Sequence, residues 1–450
     1  VDKKIEDFVR GLHLDAYLVG GAVRDELLGR ESRDADFVVP GVDYEGLHAA
    51  LEPHGKVEEL EVAGRRVGVR LHPRNRNLHL LAPAGIEFTP PRAERSTGPG
   101  RHDFEIVADP ELSIEDDMGR RDFTVNAIAR RLETGEIVDP FGGAADLKNG
   151  VLRTVRPRSF AEDPLRLVRG LRLVSQLGLE PDAETLQQMR TEAASVALVS
   201  GERVGGGLGS DGMGELSRLL LGAEPARALR LARDTGVLTA LLPEFEQAIG
   251  FEQDSKRQHL PLDEHIFEVV QAAADAGAPL AVRLGALFHD LGKPRSNGNH
   301  AERGAKLAAA AMQRLRYPTR LRAHVTQLVR AHAFSLEAVD ELFARRFLHE
   351  HGDELAFDLV THKEADLRGK KVSQDEVEAA SRLRSLLEQE RVQPHRLADL
   401  AVDGSDLIAL GYGEGPALGA ALDRLLDAVV EDPELNVRDR LLERARSQLG

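Results

Sequence analysis

The sequence predicts an α+β chain, with a mixed head of strands and helices followed by an all-helical remainder. Three observations carry this. Residues 17–39 set two short apolar runs on either side of a Gly-Gly turn and a charged stretch. Ile86-Glu87-Phe88 has the alternation of a further strand. From about residue 165 onward, apolar positions recur mostly at helical spacing. A length of 450 residues favours about three domains.

From the N-terminus, Tyr17-Leu18-Val19 reads as a strand and Gly20-Gly21 as the turn that opens a helix. Glycine there allows close backbone approach, and amides at a helix start can hold phosphate. Asp34 and Asp36 precede Phe37-Val38-Val39, which reads as the next strand. Residues i and i+2 of a strand share a face, so the two carboxylates are expected to converge. Converging carboxylates suit Mg²⁺, the partner of nucleotide phosphates. In this order and spacing, LVGGAVRD-x8-DAD resembles the head motif of the class II tRNA nucleotidyltransferase and bacterial poly(A) polymerase family. The resemblance implies a polymerase-β-like nucleotidyltransferase head. Asp34 and Asp36 would be catalytic and hold Mg²⁺, while Gly20, Gly21 and Arg24 bind nucleotide.

No apolar run approaches the roughly 20 residues that span a bilayer. No signal peptide is read ahead of the first strand, so a cytoplasmic enzyme is expected. There is no cysteine, which leaves oxygen and imidazole as metal ligands. A net charge of −16 argues against a general nucleic-acid coat, so an RNA reader needs a local basic face. Arg65, Arg66, Arg70, Arg74, Arg76, Arg92, Arg95 and Arg101 offer one, and a solvated charged surface explains them equally well.

Residues 90–110, rich in Gly, Pro and charge, read as a loop longer than the usual limit of roughly 12 to 15 residues. The family has a flexible loop beside its active site at this place. Glu87 could add a third carboxylate, although a solvent-facing strand position is the simpler reading. In IEDDMGRRDFTVNAIARRL, residues 114–132, Val125, Ile128, Ala129 and Leu132 predict a helix with Arg120 and Arg121 near its N-terminal end. Cations there oppose the helix dipole, a cost that a bound triphosphate would offset. Arg-Arg-Asp-Phe-Thr is a second motif of the resembled family, which assigns nucleotide contact to Arg121. Asp122 is expected to orient its neighbours. IVDPFGGAADL, residues 137–147, matches the family's strand-turn that follows.

Asp163-Pro164 is a good N-cap and first-turn pair. Leu167, Leu171 and Val174 make an apolar stripe, with Arg166, Arg169 and Arg172 on the opposite face. An ordinary basic helix surface would look the same. Glu-Asp-x-x-Arg is, however, a family motif whose Asp and Arg pair with the incoming base. Cytosine and adenine both present an exocyclic amino donor beside a ring-nitrogen acceptor. Asp163 could accept from the first and Arg166 donate to the second. Uracil and guanine reverse that pattern and leave buried groups unpaired, at ~1–3 kcal/mol each. The resemblance also places Arg169 and Arg172 on the triphosphate.

Residues 216–245 resemble the family's helical neck and body. One departure follows Gly-Glu-Arg-Val, where the stretch GGGLGSDGM occupies 205–213. Glycine is about 1 kcal/mol worse than alanine in a helix, so an extra flexible loop is expected.

A second constellation begins near residue 259. His265 falls on one predicted helix, and His289-Asp290 on another that ends at Gly292 and Pro294. His300, His332 and Asp366 follow. With His-Asp-Leu-Gly-Lys intact, the set resembles the HD phosphohydrolase superfamily. Imidazole with carboxylate suits Mn, Ni, Fe or Mg. A bound metal would lower the pKa of water. The resemblance implies that His265, His289, Asp290 and Asp366 hold a divalent transition metal or Mg²⁺. His300 and His332 could support a second. A domain kept only to help hold tRNA is the plainer alternative. Residues 371–450 are charged and helical, and read as a structural cap.

The expected organisation is a head over 1–155, a helical RNA-binding neck and body over 156–250, an HD domain over 251–370 and a helical tail over 371–450. The resemblance implies addition of CCA to the 3′ end of tRNA from CTP and ATP, by a monomer or homodimer, with an HD phosphohydrolase activity alongside. The motifs are shared with A-adding enzymes and poly(A) polymerases. The alternative of another class is a metal phosphohydrolase whose head only binds RNA.

Overall fold

The computed structural model describes all residues of the chain except 33–34, 63–64, 97–103, 207–211, 254–258, 296–297, 371 and 449–450. They divide into two compact units, Val1–Pro243 and Glu244–Gly450.

The first unit carries nine strands of its head: β1 Tyr17–Val19, β2 Asp36–Val38, β3 Gly55–Val62, β4 Arg65–Pro73, β5 Ile86–Thr89, β6 Arg92–Ser96, β7 Phe104–Ala108, β8 Ala129–Arg131 and β9 Ile137–Val138. Seven form one mixed sheet in the order β3-β4-β5-β2-β1-β8-β9. β1 lies antiparallel to both β2 and β8, and β2 runs parallel to β5. All three residues of β1 are buried, as expected of a short continuous apolar run. Leu18, Phe37 and Phe88 pack on one face with Val23 and Leu47 from the flanking helices Gly21–Leu27 and Tyr44–Leu51. Tyr17, Val19, Val38 and Ala129 turn to the other face, against Ile114 and Met118.

Two expectations fail in this unit. The helix near residue 120 is Ile114–Gly119, opened by a Ser113 capping box, and does not run through 125–132. Thr124–Asn126 is a single 3-10 turn, and Ala129–Arg131 is β8. Val125, Ile128, Ala129 and Leu132 are all buried, because a turn and an inner strand bury both their faces. That burial mimics a helical stripe. Arg120 and Arg121 therefore follow the helix C-terminus, where cations suit the dipole.

Nor is 90–110 a loop throughout. β6 and β7 pair antiparallel, from Arg92 opposite Ala108 to Ser96 opposite Phe104. The Gly-Pro-Gly at 98–100, which gave much of the loop-like composition, lies outside the described residues.

Helix Leu165–Leu177 buries Leu167, Leu171 and Val174 as expected. Gly206 and Met213 then pair in an isolated antiparallel bridge, and the Gly214 N–H donates to the Gly205 carbonyl at 2.9 Å. The expected loop between them, at 207–211, lies outside the described residues.

The second unit is helical. Leu262–Asp275, His300–Arg314 and Glu341–Arg368, kinked at Gly352, carry His265, His300, His362 and Asp366, while His289 and His332 cap Leu280–Phe288 and Thr319–Ala331. The helix expected to carry His289-Asp290 to Gly292 thus ends at Phe288, and Asp290 follows in a turn. Towards the C-terminus, Val402, Leu407, Tyr412, Leu425, Val429 and Leu441 form a separate small core. No helix among the described residues is long and apolar enough to cross a membrane.

Candidate active sites

β2 opens at Asp36, and the parallel register sets Glu87 of β5 beside it. Both line a cavity of 680 Å³ together with Gly21, Arg24, Arg121, Asp163, Arg166, Arg169 and Arg172. The fold thus gathers the sequence-derived head residues except two. Asp34 lies outside the described residues. Gly20 stands behind the wall: at φ 70°, a Cβ there would come within 2.5 Å of Arg121 Nη1, so this glycine makes room for that guanidinium. Glu87 is turned into the cavity, not simply to solvent, and Arg70 Nη2 holds its Oε1 at 2.5 Å. Arg70 is thereby tied down and Arg92 lines the cavity, so the suggested basic stripe is divided. Arg101 lies outside the described residues.

Nine arginines against six carboxylates line this cavity, an excess suited to a polyanion. Beneath it, buried Asp117 receives Arg120 Nε at 2.9 Å, Arg121 Nη2 at 3.2 Å and the Arg92 N–H at 3.1 Å. Burial, with the Arg120 charge nearby, pushes Arg92 down to about 10.

One chain of hydrogen bonds joins the three motifs. Arg24 Nη1 donates to Asn126 Oδ1 at 2.7 Å, and Asn126 Nδ2 donates to Asp122 Oδ1 at 3.0 Å. Asp122 Oδ2 accepts from Arg169 Nη1 at 3.3 Å. Arg169 Nε reaches Glu215 at 3.3 Å, and Arg172 pairs with the same carboxylate at 2.9 Å. Asp122 therefore orients its neighbours, as expected. Burial alone would raise its carboxyl, but Arg169 and Asn126 hold it below the usual range. Asp163, just ahead of the Pro164 cap of helix Leu165–Leu177, accepts the Leu165 N–H at 3.1 Å and also takes Arg203. Arg166 braces the second motif against the third, donating to the Arg120 carbonyl at 3.0 Å and to Ser159 Oγ at 3.0 Å.

In the helical unit, Asp290 stands between two groups of imidazoles. Its Oδ2 lies 3.1 Å from His289 Nε2 and 3.5 Å from His265 Nε2. Its Oδ1 lies 3.6 Å from His332 Nε2 and 3.7 Å from His300 Nε2. Asp366 Oδ1 closes the first group, 3.2 Å from His265 Nε2. Three imidazoles are anchored through Nδ1 to backbone carbonyls: His265 to Gly369 at 3.2 Å, His289 to Ala286 at 2.8 Å and His332 to Val329 at 2.7 Å. Such bonds leave Nε2 as the ligating nitrogen. Gly292 lets the His300 strand of chain approach, since a Cβ there would sit 2.0 Å from the His300 carbonyl oxygen.

Two groups, His265-His289-Asp290 and Asp290-His300-His332, have the proximity needed to hold metal ions. Among the described residues, buried Asp290 Oδ2 and Asp366 Oδ1 receive no well-aligned hydrogen bond although Lys293 and His265 stand beside them, and both ring nitrogens of His362 have no partner. Acceptors left in that state fit a cation. His362 was not singled out from the sequence. It is fully buried, its ring centroid 5.0 Å from that of His289. Burial, then the two neighbouring imidazoles His289 and His332, holds it well below the ordinary histidine value.

Residues 16–153 match the Poly A polymerase head domain, 178–249 the probable RNA and SrmB-binding site of polymerase A, and 262–384 the HD domain. The chain is 36% identical over 444 residues to the multifunctional CCA protein of Xanthomonas euvesicatoria, covering 92% of this chain and 97% of that one. It is 35% identical over 443 residues to that of Leptothrix cholodnii, covering 92% and 96%. The chain belongs to the multifunctional CCA protein family. Among solved structures, the CCA-adding enzyme of Bacillus stearothermophilus in complex with CTP matches at a TM-score of 0.71 and 26% identity, over 99% of this chain and 97% of that one.

For this member of the multifunctional CCA protein family, sequence reasoning missed Asn126, Arg203, Glu215 and His362. Asn126 sits within the second motif and Arg203 within Gly-Glu-Arg-Val, so both had a local signal. His362 had one too, four residues before Asp366 and so on the same helix face.

Proposed function

We propose that the protein adds C, C and A to the 3′ end of tRNA from CTP and ATP in the cytoplasm. The observation that carries this reading is the continuous network from Arg24 through Asn126, Asp122 and Arg169 to Glu215 on one cavity wall. Arg121, Arg169 and Arg172 receive the triphosphate. Asp163 and Arg166 read the amino and ring-nitrogen edge that C and A share. Asp36 and Glu87 bring oxygen donors side by side, the donor chemistry Mg²⁺ takes, and Asp34 with Asp36 would hold it. When bound, Mg²⁺ would supply Lewis-acid activation of the 3′-hydroxyl and charge stabilisation of the pyrophosphate. The new bond joins the 3′-oxygen to the α-phosphorus as the bond from that phosphorus to the α–β bridging oxygen breaks, the hydroxyl proton passing to solvent and pyrophosphate leaving. The test is incubation of tRNA lacking its last three, two or one nucleotides with CTP and ATP separately. CTP alone should extend the first two, and ATP alone the third. Addition of A only, or long A tails, would overturn the reading in favour of an A-adding enzyme or a poly(A) polymerase.

The helical unit supports a second activity, metal-dependent hydrolysis of phosphate esters. Its motive is the pair of imidazole groups sharing Asp290. His265, His289, Asp290 and Asp366 would hold one divalent ion, and Asp290, His300 and His332 a second. The ion supplies Lewis-acid activation of water.

A further inference from the structure

A cavity of 1090 Å³ in the helical unit reaches Asp366 and is lined by three lysines, Lys293, Lys363 and Lys370. Two of these are committed. Lys293 Nζ lies 2.5 Å from Asp290 Oδ2, and Lys370 pairs with Asp366. Lys363 differs. Its Nζ lies 4.6 Å from the centroid of the Phe334 ring. Lys363, Asp366 and Lys370 are spaced i, i+3 and i+7, which puts them on one face at the end of Glu341–Arg368 and just beyond it. The half-buried ammonium therefore stands one turn from Asp366, and among the described residues no carboxylate forms an ion pair with it. Glu337, Asp375 and Glu376 also line the cavity. Phe251, Phe334, Leu336 and Val372 give the same cavity an apolar wall.

A lysine that merely roofs Phe334 would gain the ring contact and nothing more. Its place beside Asp366 in an open cavity points to an anion as its second partner. We propose that Lys363 is a phosphate-binding residue of the histidine–aspartate site, and that the cavity takes a phosphate monoester whose alcohol portion is aromatic or apolar. This rests on the phosphohydrolase reading above. Lys363 attracts the incoming phosphate dianion beside the metal-holding carboxylates, and the apolar wall receives the ester group.

The full-length protein loaded with Mn²⁺ tests this, by calorimetric titration with inorganic phosphate and with phenylphosphonate, a stable aromatic mimic. Metal content is measured in parallel. Lys363→Met keeps the stem over Phe334 and removes the charge. It should bind both ligands roughly tenfold more weakly, as loss of a charge-assisted hydrogen bond does, with metal content unchanged. Lys363→Arg should restore most of the affinity. Wild-type protein should hold phenylphosphonate more tightly than phosphate. Equal affinities for wild type and Lys363→Met would overturn the role of Lys363. A lack of preference for phenylphosphonate would overturn the aromatic or apolar substrate class. Wild-type protein that carries Mn²⁺ yet binds neither ligand would overturn the phosphohydrolase reading with it.

Discussion

Arg203 grips Asp163 with two hydrogen bonds, Nη2 to Oδ2 at 2.8 Å and Nη1 to Oδ1 at 3.3 Å. A guanidinium set this way fixes both the position and the plane of a carboxylate. The group proposed to receive the base's amino hydrogen is thus aimed by a residue 40 positions away. Arg203→Ala should therefore relax the preference for CTP and ATP over UTP and GTP, roughly tenfold for one charge-assisted contact. Asp163→Ala and Arg166→Ala should relax it at least as far. Incorporation of all four nucleotides into trimmed tRNA measures this. Unchanged selectivity in all three variants would remove the base-reading role.

The two sites should separate by mutation. His289→Ala combined with Asp290→Ala is expected to abolish phosphatase or 2′,3′-cyclic phosphodiesterase activity, assayed with several divalent metals, and to leave nucleotide addition largely intact. Chelation followed by return of Mg²⁺ or a transition metal gives an independent check. Loss of nucleotide addition in the folded double variant would show that the sites are not independent.

Gly292 should tolerate no side chain. Gly292→Ala drives a methyl group to 2.0 Å from the His300 carbonyl oxygen. The backbone must shift, at about 1–3 kcal/mol for such overpacking. Denaturant unfolding measures the loss. Metal content should fall as well, because the shift displaces His300 from Asp290. A variant with wild-type stability and metal content would contradict this packing argument.

His324 should make stability depend on pH. Its Nε2 lies 2.7 Å from Asp358 Oδ2, and that bond raises the imidazole above its ordinary value against the effect of burial. The folded value then exceeds the unfolded one. The pair's contribution is complete below the unfolded value, near about 6.5, and is lost as pH rises through the folded value. The difference in unfolding free energy between wild type and His324→Gln should therefore be largest in mild acid and shrink in alkali. A difference constant with pH would contradict the assignment.

Much of the head site was legible because its motifs are short and ordered. Asp36, Arg121, Asp163, Arg166, Arg169 and Arg172 all reach one cavity. Their partners were not legible, because tertiary folding supplies them. Glu215 meets Arg169 from 46 positions away. Glu87 joins Asp36 only through the parallel register of β2 and β5. β8 was misread as helix because an inner strand buries both faces, and periodicity carries no signal there. In the helical unit the His-Asp pair was legible. His362 was passed over because a lone histidine on a helix is a common sight.

The most direct test of nucleotide addition in the head is product sequencing. tRNA lacking its last three nucleotides is incubated with all four nucleoside triphosphates and Mg²⁺, using wild-type protein, Asp34→Ala and Asp36→Ala. Wild type should append CCA and stop. Both variants should append nothing while still binding tRNA, because phosphate contacts dominate RNA affinity. Continued addition by either variant, or an A tail from the wild type, would contradict the account.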